Sequence, residues 1–385
     1  MKRARAPFPG PDPDLPGSAP DGRTGGGRTQ RKGTGPLRTI GSAGPILAAL
    51  LAGGLAARGT EPPQSSLGGA EGDAAWRYNL GAGGQAMIVM RDGAIVFERY
   101  ANGGAPDRKQ MLASGSKSFV GVAAVAAVQD GLLRLDDPAC RALPEWKDDP
   151  KRSRITYRHL LTLTSGLTAG ERGSAVRAPS WSQIIAKPLV ADPGERFEYG
   201  AYPLNAFALA LERLLKEETF EAYLKRRILD PLGLSVEWRF RCADGHPQVG
   251  GGAFMTARDW ATFGEFMRRN GKWGDRPIVA PELLAECLRG TDQNPAYGLT
   301  WWLRRPVPEA IRNRVPILQG DMGDIVKSDW LPDDLFLAAG AGKQRLYVIP
   351  SQKLVIVRQG DLRASRAFSD EEFLDRLLRK GEKKP

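Results

Sequence analysis

Residues 114–129 read SGSKSFVGVAAVAAVQ, and Asp130-Gly131 closes the stretch. From Phe119 to Gln129 every residue is apolar or small except the last, so the segment is apolar almost all round and predicts a central buried helix. Ser114 and Lys117 stand three apart at its entry, one helical turn from each other on one face. A serine at that first turn lies where backbone N–H groups and the helix dipole favour developing negative charge. An amine one turn further on can take or relay the hydroxyl proton. Taken alone, the same pair reads better as a capping serine and a solvated lysine. The neighbouring helix argues otherwise, because a charged side chain leading into a buried helix is expensive unless something answers it.

Strand signals lie on either side. Ala86–Tyr100, AMIVMRDGAIVFERY, is two β-rich runs around Asp92-Gly93, which predicts a hairpin. Near the other end, Arg345–Ile349 and Leu354–Arg358 flank Pro350-Ser351-Gln352-Lys353 and predict a second hairpin. Between them, residues 136–230 are mostly helical by period, including Pro203–Lys216. The tail opens with Ser369-x-x-Glu372, a capping-box pattern, and continues as an amphipathic helix. Strands at both ends with helices between predict an α+β domain: one antiparallel sheet built from both ends of the body, flanked by helices, with an inserted helical subdomain.

The domain is predicted to span residues 76–380. Residues 1–38 read as a disordered basic leader, rich in Pro, Gly and Arg. Residues 39–57, TIGSAGPILAALLAGGLAA, carry no charge and end in small residues, as an export signal does; a single membrane anchor is the alternative. Residues 58–75 read as a Gly/Pro/Ser linker. The expected location is exported and periplasmic, with the N-terminal segment as the route to any membrane association.

Composition narrows the chemistry. With 42% hydrophobic and 26% charged residues the chain is globular in type. The net charge is +11, but nine Lys/Arg against three Asp in the first 60 residues leave only a mildly basic body. No basic stripe with interleaved aromatics is present, so nucleic acid is not the expected partner. Cys140, Cys242 and Cys287 are widely spaced and fit no metal pattern, and His159 and His246 are the only histidines. The thiols read as buried or free, with one disulfide left open.

Two further segments bear chemistry. Tyr199 follows the turn Asp192-Pro193-Gly194. Free tyrosine and lysine have pKa values of about 10 and 10.4, so neither is a base at neutral pH. Side by side and desolvated, a positive Lys117 would favour tyrosinate, and burial would disfavour the lysine charge. A half-buried structural tyrosine is the plainer reading. The small-residue run Ala338-Ala339-Gly340-Ala341-Gly342 precedes the second hairpin. Small residues there let a strand lie beside Ser114, so that the Ala341 and Ser114 N–H groups form an oxyanion hole; a bulge or tight bend reads the same way.

Together these segments resemble the β-lactamase-related serine hydrolases, the class C β-lactamase and penicillin-binding-protein type, over about residues 76–362. S-x-x-K is a signature of such enzymes. HLLTLTSGLT (159–168), ADPGERFEYG (191–200), ILDPLGL (228–234), GGGAFMTARDWATFGEFM (250–267) and YGLTWWL (297–303) resemble family segments in the family's order. The resemblance implies a β-lactamase/transpeptidase-like fold and acyl transfer through a serine ester without metal or organic cofactor. It implies Ser114 as nucleophile, Lys117 and Tyr199 as proton handlers, and the strand of Ala338 and Gly340 with an oxyanion donor at Ala341.

Departures bear on substrate. Ala201 stands where the family has the asparagine of Y-x-N, and Ala338 where it has Lys or His opening K-T-G or H-x-G. Losing that polar clamp and cation argues against efficient β-lactam or D-Ala-D-Ala turnover. The branch resembling esterases and 6-aminohexanoate-dimer hydrolases fits better, with a small ester, amide or peptide-like substrate. Lys343, where the family usually shows glycine, either restores a substrate-binding cation or is simply solvated. β-Lactamase or D-Ala-D-Ala carboxypeptidase activity is the alternative within enzymes. A non-catalytic peptidoglycan- or partner-binding protein is the alternative outside them. A Ser-His-Asp triad through His159 is disfavoured, since Thr164-Ser165-Gly166 lacks the nucleophile-elbow glycines.

Overall fold

The computed structural model describes residues 69–170 and 178–379. The leader and the export-signal or anchor segment lie outside the described residues.

The first strands, β1 (Gly84–Arg91) and β2 (Ala94–Tyr100), form the expected hairpin. Its turn residues Asp92 and Gly93 have φ of 49° and 84°, the left-handed pair that a two-residue hairpin turn requires. β3 (Gln110–Met111), β4 (Glu237–Trp238) and β5 (Ala253–Met255) make a small second sheet, and β6 (Lys272–Trp273) and β7 (Arg276–Pro277) a two-stranded ribbon. The main sheet is completed by β8 (Trp302–Leu303), β9 (Phe336–Gly340), β10 (Gln344–Ile349) and β11 (Leu354–Gly360). Its order is β2-β1-β11-β10-β9-β8, antiparallel throughout. The β1–β11 pairing, with Ile88 opposite Val357, joins the two ends of the body as the sequence predicts.

β10 and β11 are buried along their whole length because both faces are covered. The helix Ala257–Arg268 packs on one face. It comes so close that a Cβ at Gly264 would sit 2.6 Å from both Leu346 and Val355 side chains. The terminal helices Ala70–Gly81 and Asp370–Leu378 pack against each other beside the sheet. Burying this apolar surface is the main force holding the layers together, at roughly 25 cal/mol per Å².

Within the stretch read as a linker, residues 70–75 are folded. The helix Ala70–Gly81 takes its last six residues, and Ala75 is fully buried. The helix is held by docking rather than by its own weak amphipathicity: Asn79 Oδ1 accepts a 2.9 Å hydrogen bond from Arg358. In the 136–230 region the helices are short and broken by single turns, with Tyr202–Leu215 the longest. The capping pattern at the tail is half realised. Ser369 Oγ accepts from the Glu372 N–H, while the Glu372 carboxylate pairs with Arg376.

Candidate active site

Ser114 lies on a single 3-10 turn, Ala113–Ser116, which feeds the helix Lys117–Gln129. It therefore sits one turn before the α-helix rather than within it. Ala113, just ahead, has φ of +47°, a strained value for a residue with a side chain. The turn is pinned from below. Ser116 Oγ donates to Ala113 O at 2.6 Å and accepts from Ala253 N–H at 3.1 Å. Gly115 has no room for a side chain, since a Cβ would lie 2.8 Å from the Trp260 ring. These contacts leave the Ser114 side chain partly exposed on a rigid base.

Lys117 is only 4% exposed. Its Nζ lies 3.1 Å from Ser114 Oγ and 2.6 Å from the carbonyl of Gly250. It also sits 5.0 Å from the centre of the Tyr199 ring. No carboxylate answers the charge among the described residues, so burial alone brings the lysine pKa down to about 7. At neutral pH a large share of Lys117 is thus a free amine in contact with a hydroxyl.

Tyr199 is enclosed by the rings of Phe197, Tyr297 and Trp302. Burial pushes its phenol up to about 12, against hydrogen bonds from Ser114 and Trp302 that pull it down. The expected tyrosinate is therefore not formed. The Lys117 Nζ lies over the ring face, and enclosure of the phenol in apolar surroundings sets the direction of its shift. Near neutral pH the site therefore pairs a lysine that readily loses its proton with a phenol that keeps its own.

The strand of small residues reaches the same place. A Cβ on Gly340 would lie 2.1 Å from Leu112 O and 3.1 Å from Gly115 N, so only glycine lets β9 lie against the Ser114 turn. Ala338 is 1% exposed and Ala341, just past the strand, is exposed. Ala201 caps the helix Tyr202–Leu215 from a buried position against Gly250, whose carbonyl holds Lys117. The structure thus brings Ser114, Lys117, Tyr199, Gly340 and Ala201 into one neighbourhood.

Lys343 does not join them. Its Nζ donates to Asp370 at 2.7 Å and lies 3.1 Å from Asp321, so it is neither solvated nor free for a substrate. The two carboxylates arrive from distant segments, which spacing along the chain does not reveal. His159 serves its own helix. Its Nδ1 accepts from Thr156 N–H, and Thr156 Oγ1 caps the helix Tyr157–Leu161 in return. The three cysteines are free thiols, with Cys242 and Cys287 buried. Two contributors escape sequence reasoning, the Gly250 carbonyl and the Trp302 indole. Both lie in segments quoted above for their family likeness, but a backbone carbonyl leaves no mark in sequence.

Residues 74–360 match the family described as "Beta-lactamase". Among curated proteins, acyltransferase calJ of Penicillium decumbens is 30% identical over 194 residues, 42% of this chain and 46% of that protein. The chain thus spans less than half the length of that relative. Among solved structures, a putative 6-aminohexanoate-dimer hydrolase from Bacillus anthracis superposes with a TM-score of 0.63 at 17% identity, covering 78% of this chain and 79% of that one. A family VIII carboxylesterase superposes with a TM-score of 0.62 at 14% identity, covering 83% and 97%. At those identities the likeness is one of fold.

Proposed function

The chain belongs to the beta-lactamase family, and on that premise we propose that it is a serine hydrolase working through an acyl-enzyme at Ser114, on esters or amides in preference to β-lactams. The observation that carries this reading is the buried Lys117 amine, 3.1 Å from Ser114 Oγ with a pKa of about 7. A base is most useful when its pKa lies near the working pH.

The steps follow from that geometry. Neutral Lys117 takes the Ser114 proton as Oγ attacks the substrate carbonyl carbon. The N–H groups of Ser114 and Ala341 receive the negative oxygen. The Tyr199 hydroxyl gives its proton to the departing alkoxide or amine and recovers one from the Lys117 ammonium. The C–O or C–N bond breaks, leaving the acyl group on Ser114. Water then attacks this ester with its proton passing to the same pair, and Ser114 is released. No charge need enter or leave the site during the cycle, which suits its enclosure.

Substrate preference rests on what the site lacks. Ala201 offers a methyl group where the family's amide would bind substrate, and the buried Ala338 supplies no cation. Lys343 is committed to Asp370. A carboxylate-bearing β-lactam would find neither partner. Fluorophosphonate labelling tests the nucleophile: modification at Ser114, abolished in Ser114→Ala, is expected. Turnover of p-nitrophenyl acetate and butyrate with little action on nitrocefin is the expected substrate pattern; rapid nitrocefin hydrolysis would reverse the reading of Ala201 and Ala338. A folded chain that neither labels nor turns over esters would instead be a binding protein.

The export signal or membrane anchor in residues 39–57, and with it a periplasmic location, stays part of this proposal. Mass spectrometry of the mature N-terminus tests it.

A further inference from the structure

The carbonyl of Gly340 accepts a hydrogen bond from a buried cation. Arg345 is completely buried. Its Nε donates to Asp370 Oδ1 at 2.6 Å and its Nη2 to Asp321 Oδ1 at 2.9 Å. Tyr347 and Lys343 hold the same Asp370, at 2.6 and 2.7 Å. With two edges of the guanidinium fixed by carboxylates, the remaining Nη1 is aimed at the end of β9. It donates to Gly340 O and to Gln344 O, both at 3.1 Å.

The Gly340 carbonyl and the Ala341 N–H belong to one peptide unit. Such a unit is planar and trans, so the two groups point in opposite directions. The turn bearing Ser114 lies against Gly340 itself. Building on the reading of Ala341 as an oxyanion donor, we propose that Arg345 is a positioning residue for that donor. Its guanidinium fixes the plane of the Gly340–Ala341 peptide and polarises it, so that the Ala341 N–H binds a developing oxyanion more strongly.

Three observations support this. Charge-assisted hydrogen bonds are about twice as strong as neutral ones, so a guanidinium polarises the peptide more than a ladder N–H would. The Arg345 charge also reaches the reacting groups, since it lowers the Tyr199 pKa, although its partner Asp321 raises that pKa by more. Finally, anchoring the C-terminal helix through Asp370 uses Nε and Nη2 and leaves the Nη1 contact unexplained. A donor held in place before the reaction avoids reorganisation when charge appears, which is where oxyanion holes gain their effect.

The test uses the full chain with Arg345→Lys and Arg345→Met, and Asp324→Asn as a control: Asp324 Oδ2 accepts from Ser369 Oγ at 2.8 Å and from Asp370 N–H at 3.2 Å, so the change alters the start of the helix Asp370–Leu378 without removing a partner of Gly340. The readouts are kcat and KM on p-nitrophenyl butyrate, and the ionisation of the hemiketal that an aryl trifluoromethyl ketone forms on Ser114, followed by fluorine NMR. Losing a whole oxyanion donor costs about 10²–10³-fold in kcat, so weakening one is expected to cost about tenfold with KM nearly unchanged. The hemiketal should ionise at a pH about one higher, the same tenfold. Folded Arg345 variants with native kcat and native hemiketal ionisation overturn the proposal. Should both fail to fold, Asp321→Asn, at a partly exposed carboxylate, loosens the guanidinium while leaving its charge: a fall in kcat with KM held then comes from lost positioning and supports the proposal, and native kcat and ionisation overturn it. Ala341→Pro separates the underlying reading, because it deletes the N–H. Native kcat in that variant sinks the oxyanion role of Ala341, whereas loss there with no loss on changing Arg345 sinks only the positioning role.

Discussion

Two buried basic side chains reach the candidate site, Lys117 at Ser114 itself and Arg345 through the Gly340 carbonyl, and their surroundings treat them in opposite ways. Lys117 is buried beside a hydroxyl, a carbonyl and an aromatic face, with burial the sole cause of a pKa near 7. Arg345 is buried between Asp370 and Asp321, which hold its pKa above the ordinary arginine value despite the desolvation. The same physical cost, a charge removed from water, is left standing at one place and compensated at the other. What differs is use. An uncompensated amine gives up its proton easily and can pass protons; a compensated guanidinium is a fixed charge and can only hold.

The largest effect should come from making the first cation like the second. Lys117→Arg keeps the charge but cannot lose it near neutrality. The loss of general-base action predicts a fall of about 10²–10⁴-fold in kcat on p-nitrophenyl butyrate. Near-native turnover would show that a positive charge, not a base, is what the site needs.

Next comes the reverse change, unpairing the second cation. Asp370→Asn leaves Arg345 buried with half its compensation and should destabilise the chain by about 3–5 kcal/mol in urea titrations at pH 7. Asp370 is held well below its ordinary value of 3.8, chiefly by Arg345 against its own burial. Its contribution is therefore complete above about that pH and is lost as the pH falls through the depressed folded value. The gap between wild type and variant should narrow in acid and hold steady from pH 5 to 8.

Removing the uncompensated charge should do the opposite. Lys117→Met is expected to abolish turnover yet stabilise the chain by about 1–4 kcal/mol at pH 6. Between about pH 7 and the ordinary lysine value of 10.5 the unfolded wild-type chain binds more protons than the folded one. Wild-type stability therefore rises with pH across that range, and the advantage of the methionine variant shrinks. A destabilised Lys117→Met chain would mean that the amine contributes to stability through its hydrogen bonds.

The sequence makes the scaffold legible because its signals are local. Asp92-Gly93 marks one hairpin, the Pro350–Lys353 turn another, and the apolar Phe119–Gln129 run the buried helix. Ser114 and Lys117 are adjacent by helical period, and Tyr199 stands out through its segment. The arginine site is not legible in this way. Asp321, Arg345 and Asp370 meet across separate segments, and no spacing rule links them. The same blindness explains Lys343, whose partners come from that cluster. The direction of the Tyr199 pKa depends on how completely its ring is enclosed, which only three-dimensional packing fixes.

The smallest effect concerns the phenol. Trp302→Phe removes an indole hydrogen bond that lowers the Tyr199 pKa. One such bond is worth about 0.5–1.5 kcal/mol. A loss of about threefold to tenfold in kcat is expected, with the alkaline limb of the rate profile moved to higher pH.

The pH dependence of fluorophosphonate labelling at Ser114 tests the unpaired amine most directly. The labelling rate should climb as Lys117 sheds its proton around pH 7 and level off by about pH 8–9. A rate that stays flat from pH 5 to 9, or begins to climb only near pH 10, would show that this lysine does not activate the serine.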